Sequence, residues 1–161
     1  MRATIIMFLF CLLAFDIQAD ADSNGKISYF PIISGNGIPA QARESLTAKM
    51  ERAISQNGFG TSCRTGRFVM LAKCNVLEKD VAPTTPPRIT QIVEVTLIIG
   101  DVIENKTYAS TSFELKGMGT NETKAWQMAL NRIKPENTAL KDLFDVAETK
   151  INTYYSENCR N

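Results

Sequence analysis

The chain contains no histidine. That removes Ser-His-Asp and Cys-His nucleophile pairs, along with the commonest ligand for transition metals. Cysteine is scarce as well. Cys11, Cys63, Cys74 and Cys159 are widely spaced with no C-x-x-C pair, so no metal site is expected. Net charge is small: Lys plus Arg number 18 against 17 Asp plus Glu, a formal +1. Nucleic-acid binders carry basic patches, so no nucleic-acid partner is expected. No apolar run reaches the roughly 20 residues that cross a bilayer.

The apolar run that is present stands at the start, in "MRATIIMFLFCLLAFDIQADADS". Arg2 supplies a short positive region. Residues 3–15 are apolar apart from Thr4, and Ala19-x-Ala21 forms a small-residue cleavage pattern. These parts make a secretory signal, with cleavage expected after Ala21. A lipoprotein signal is not expected, because Cys11 follows Phe10 inside the apolar run. Residues 22–161 then form one domain, long enough for a core of its own. Without Arg2, Asp16 and Asp20 the balance is 17 basic to 15 acidic groups. Export implies an oxidising compartment, and three cysteines remain there, an odd number.

Periodicity divides the rest. Residues 25–34 read as a first strand, which Pro31 assigns to a sheet edge or bulge. Ile38, Ala42, Leu46, Met50, Ala53 and Ile54 recur at helical spacing over 38–57, with Asn57-Gly58 as a stop. "RFVMLAKCNVLEKD" is a second strand, with Phe68, Met70, Ala72, Cys74 and Val76 on its core face. "RITQIVEVTLIIGD" is a third, with Val93, Val95, Leu97 and Ile99 on one face. "KTYASTSFELKG" is a fourth, with Ala109, Thr111, Phe113 and Leu115 opposite a wetter side that includes Tyr108. A second helix is predicted over 120–133, stopped by Lys134-Pro135, and a third over roughly 136–157, opened by Pro135. The order β-α-β-β-β-α-α predicts a two-layer α+β domain, with a four-stranded, mostly antiparallel sheet covered by helices.

Few segments hint at chemistry. In "KGMGTNETKAW", Gly117 and Gly119 fit a dinucleotide fingerprint, but Glu122 takes the third glycine position and no G-K-[ST] follows. The segment reads better as a strand-to-helix joint. One glycine is expected at positive φ, Thr120 or Asn121 as the cap, and Glu122 in the first turn. Exposed amides over Gly117, Gly119 and Thr120 leave an anion or partner contact as the alternative. The loop "DVAPTTPPR" carries Pro83, Pro86 and Pro87, either as a stiff connection or as a second partner contact. Two N-x-[ST] matches, at Asn105 and Asn121, are short enough to arise by chance. Asp142, Asp145 and Glu148 read as a solvated helix face beside Lys141 and Lys150. Cys74 falls on an apolar face, which leaves Cys63 and Cys159 as the candidate disulfide.

Several segments resemble a family of uncharacterised exported proteins of Gram-negative envelopes: "SLTAKMERAISQNGFG", "RFVMLAKCNVLEKDVAPTTPP", "VEVTLIIGD", "YASTSFELKGMGTNETKAWQMALNRIKP" and "YYSENC". The "DVAPTTPP" loop and "KGMGTNETKA" are its most specific pieces. More distantly, the layout is similar to the domain shared by the TolB N-terminal region, CsgG and FlgT. The resemblance implies a periplasmic or envelope location and an interaction or assembly module with no enzymatic activity and no cofactor. It also implies a helical extension beyond "YYSENC", expected to be short or absent here. The expected partner is another envelope or exported protein, with the sheet edge and the loop at 78–88 as contact surfaces. The alternatives are a periplasmic binder of small ligands or anions at Gly117–Thr120, and a hydrolase using carboxylates drawn from separate segments.

Overall fold

The computed structural model describes residues 27–62 and 66–158. β1 (Ser28–Ser34) leads into α1 (Ala40–Gln56), whose first turn is set by Pro39 at its N-cap. The Pro39 carbonyl accepts from the amides of Ala42 (2.9 Å) and Arg43 (3.0 Å). The helix buries Ala42, Leu46, Met50, Ala53 and Ile54, the stripe its spacing predicts. It ends where Gly58 takes a φ of 84° and Asn57 Nδ2 donates to the Ala53 carbonyl at 2.7 Å.

The chain then runs through β2 (Gly60–Thr61), β3 (Phe68–Ala82), β4 (Arg88–Asp101) and β5 (Lys106–Gly119). The strands form one mixed sheet in the order β2-β1-β3-β4-β5, parallel at β2-β1-β3 and antiparallel beyond. The sheet thus has five strands rather than four. Two-residue β2 shows no alternation that a sequence could reveal, and it pairs only with Ser28 and Tyr29. Pro31 accordingly lies on a stretch of β1 that is bordered on one side only, as proline requires.

α2 (Glu122–Leu130) and α3 (Thr138–Asn158) complete the helical layer. α2 is shorter than predicted, ending at Leu130 in tight turns that still bury Ile133. Asn137, not Pro135, opens α3. Its carbonyl accepts from Leu140 and Lys141, and its Oδ1 accepts from the Ala139 amide at 3.0 Å.

The helices cover one sheet face, and the core lies between: Tyr29, Met70, Ala72, Val93, Val95, Leu97 and Ile99 against Leu46, Trp126, Leu130 and Phe144. The other face, with Leu71, Glu94, Thr96, Ile98 and Ser112, has no layer over it among the described residues. Two side chains differ in burial from what alternation predicts. Val76 stays on the core face opposite Val93, yet is 39% exposed, because β1 ends opposite Lys73 and leaves this part of β3 without a neighbour on that side. Tyr108, expected on the wetter side, is 1% exposed. A bulge, where Ile99 pairs with Ala109 but Gly100 with Thr107, leaves Tyr108 unpaired in the ladder and turns it inward.

Candidate interaction surface

Gly117 and Gly119 belong to β5 itself and not to a reversal, and neither has a positive φ. Their role is close approach. A Cβ on Gly117 would collide with the carbonyl oxygen of Ala125, and one on Gly119 would lie 2.6 Å from the Ala125 amide nitrogen. The two glycines let the start of α2 press directly onto the strand. Asn121 is the cap, its Oδ1 accepting from the Lys124 amide at 2.9 Å. Glu122 pairs with Lys79 Nζ at 3.2 Å, binding α2 to the outer part of β3. Pro83, Pro86 and Pro87 are exposed at the tip of the β3–β4 hairpin, where Thr84 Oγ1 donates to the Pro86 carbonyl at 2.7 Å. Gly119 pairs with Ile89, two residues beyond Pro87, so the proline tip and the glycine joint share one end of the sheet. Cys63 and Cys159 lie outside the described residues. Cys74 is 1% exposed, and burial pushes its thiol up to about 11 against the pull of Arg43, which leaves it unreactive at neutral pH.

At the opposite end, the buried Asp101 carboxylate organises the β4–β5 turn. Its Oδ1 accepts from the amides of Ile103 (2.8 Å) and Glu104 (3.1 Å), and its Oδ2 from Arg67 Nε (2.6 Å). Arg67 also lies 5.0 Å from the centre of the Tyr155 ring, and Lys106 lies 4.2 Å from that of Tyr154, tying the last turns of α3 to the turn. Burial pushes the Asp101 carboxyl up. The Arg67 hydrogen bond, the two amides and the guanidinium charge more than offset it, leaving the carboxyl below the usual carboxylate range. A depressed folded value stabilises the fold at pH above the unfolded pKa, about 3.9, and that contribution fades as pH falls through the folded value. Asp101→Asn should therefore destabilise at pH 7, with the difference from the parent shrinking below about pH 4. Urea titrations at stepped pH measure it, and a difference independent of pH would refute this role.

The two edges of the sheet differ. On the β1 side, Pro31 offers no donor, and Arg43 Nη2 donates to the Gly35 carbonyl at 2.7 Å with Nη1 reaching that of Ile33 at 3.4 Å. On the far side β5 is terminal. Met118 donates its amide to Met128 Sδ at 3.3 Å, away from β4, and Lys150 Nζ donates to the Tyr108 carbonyl at 2.8 Å. The alternation of the antiparallel ladder then turns the backbone groups of Ser110, Ser112, Glu114 and Lys116 outward between these two clamps, while the amides of Gly117 and Gly119 face β4. Beside the row, Thr107–Thr111 and one side of α3 enclose a groove of about 510 Å³, lined by Ala139, Asp142, Leu143, Val146 and Lys150.

No protein-family model matches this chain, and no curated protein is detectably similar to it. Among solved structures, the chain is similar to a minor lipoprotein from Acinetobacter baumannii at 12% identity and a TM-score of 0.44, over 77% of this chain and 92% of that one. It is also similar to the PelC dodecamer from Paraburkholderia phytofirmans at 15% identity and a TM-score of 0.41, over 68% and 88%. Likeness of this degree assigns neither a family nor a role.

The period-two polar pattern at Ser110, Ser112 and Glu114 marks β5 as half-exposed, but nothing in it says that β5 is terminal. Arg67 and Asp101 stand 34 residues apart, a pairing with no local signal. Among the described residues, no group of three or more acidic or cysteine side chains could hold a metal ion, and no helix is long and apolar enough to cross a membrane.

Proposed function

We propose that this chain is a non-enzymatic interaction domain of the Gram-negative cell envelope, exported to the periplasm, that binds another exported or envelope protein through the outer edge of β5. The carrying observation is the outward row from Ser110 to Lys116, left between the Met128 and Lys150 clamps on the edge that no described residue blocks. Unpaired strand edges are templates for pairing, and proteins normally cover or blunt them. The secretory pattern of residues 1–21 and the resemblance of "DVAPTTPP" and "KGMGTNETKA" to exported envelope proteins, and more distantly to the TolB, CsgG and FlgT domain, support the location. The exposed proline tip is a secondary contact, reached from the same sheet.

Site-specific photo-crosslinking in the native envelope tests this. A crosslinking side chain at Ser112 should give one discrete heavier species, and one at Glu148, on the exposed part of α3, should give none. A weaker adduct is expected at Thr85. Absence of any adduct at both Ser112 and Thr85, at native abundance, would overturn the proposal.

A further inference from the structure

The geometry points to an extended peptide segment of the partner as the occupant of the groove between β5 and α3, added to the sheet as a further strand with an apolar residue seated on Val146 and a basic residue facing Asp142. This rests on the interaction reading above and specifies what that edge takes. The first support is the backbone row. Ser110, Ser112, Glu114 and Lys116 span roughly 20 Å of strand, the length over which a short extended segment can exchange main-chain hydrogen bonds.

The groove provides the second support. In an added strand, alternate side chains would point towards the helical layer. There they meet Ala139, Leu143 and Val146, and Val146 is 44% exposed, an apolar side chain standing in an otherwise polar margin. Seating a branched apolar residue on it removes both from water. The intervening side chains would lie on the open sheet face beside Ser112, Glu114 and Lys116, where polar residues suffice.

Charge selects the third feature. Lys150 and Asp142 both line the groove, but the Lys150 ammonium is committed to the Tyr108 carbonyl. Asp142 forms no ion pair among the described residues. The lining carries one charge of each sign, but the ammonium is turned onto the strand by its bond to Tyr108, which leaves the Asp142 carboxylate as the charged group open to a cation on the incoming segment. A second copy of this chain fits less well. Its own β5 carries Glu114 and Lys116 on the open face, but its Met118 edge is covered by Met128, which shortens any β5-to-β5 ladder.

The test uses the exported chain and a soluble probe: a capped, fluorescein-labelled eight-residue peptide alternating valine with threonine and carrying one arginine. Fluorescence anisotropy reads binding. N-methylation of every second peptide amide should weaken binding at least about tenfold in one parity and leave it nearly unchanged in the other, since each main-chain bond to a fixed acceptor contributes on the order of 1 kcal/mol. Ser112→Pro removes an outward donor without touching the β4 ladder and should weaken binding comparably, whereas Ser112→Ala should not. Asp142→Lys should reverse the preference for arginine over glutamate in the probe. Equal loss in both N-methyl parities, or none in either, would overturn strand addition. A dimer in size-exclusion chromatography that Ser112→Pro converts to monomer would overturn the partner peptide in favour of self-pairing. Should Ser112 crosslink a partner in the envelope while no probe binds, the interaction domain stands and the extended-segment occupant falls.

Discussion

Replacing Gly117 with alanine is expected to lower stability by about 3 kcal/mol, a drop in melting temperature of roughly 10 °C. The added methyl would meet the Ala125 carbonyl, which belongs to the α2 backbone and cannot rotate away as a side chain would. The Cβ of Ala129 lies 2.9 Å from the same point. Relief requires α2 to lift from β5, which opens the layer around Trp126. Gly119→Ala should act the same way, against the Ala125 amide and Lys124. The two changes share one remedy, so the double variant should cost clearly less than the sum of the singles. Ser110→Ala, on the open face of the same strand, is the control and should stay within about 0.5 kcal/mol of the parent. Urea unfolding followed by circular dichroism measures all four. A Gly117→Ala protein as stable as the control would show that the glycines are not what seats the helix.

Trp126→Ala is expected to remove about 4 kcal/mol, near the upper range for a single core truncation and a large share of the 5–15 kcal/mol typical of a whole domain. Trp126 is fully buried and is the largest side chain in the core. It also holds a polar partner. With its amide turned so that Oε1 faces the helix, Gln91 accepts from Trp126 Nε1 at 3.2 Å and from the Trp126 amide at 3.1 Å. Gln91 is itself 0% exposed, so truncation leaves a cavity and strips a buried acceptor of its indole donor. Trp126→Phe keeps most of the volume and should cost about 2 kcal/mol, part of it from Gln91. Adding Gln91→Met to Trp126→Phe should then recover stability, because an apolar group replaces an under-satisfied one. If Gln91→Met lowers stability by the same amount with and without the indole, the hydrogen bond contributes nothing.

These two sites show how far the sequence can be read. Trp126, Ala129 and Leu130 announce a buried stripe by spacing alone, and the structure buries them. The third strand, from Arg88 to Asp101, agrees with its pattern end to end because alternation there is uninterrupted. Legibility fails where the ladder slips. The bulge at Ile99/Gly100 shifts parity by one residue and Tyr108 changes sides with it, whereas Val76 keeps its face opposite Val93 and is exposed because β1 ends opposite Lys73, short of it. The glycines of "KGMGTNETKAW" were legible as glycines but not as to purpose. Tight backbone contact and positive φ leave the same letter in the sequence, and only the position of α2 distinguishes them. The candidate surface was legible least of all. Whether a strand is terminal depends on which strands pair, and the pairing is settled between residues far apart in the chain.

Pro31 and the Arg43 guanidinium on one side, and the open β5 row on the other, give the sheet a polarity of assembly. Endless edge-to-edge growth needs two receptive edges, so that each added unit presents the next site. Among the described residues this sheet has one, since the opposite side presents a proline and carbonyls already engaged. Copies of this chain therefore cannot stack head to tail, the β5 edge of one on the β1 side of the next, and the domain does not propagate a β-ladder through its own sheet.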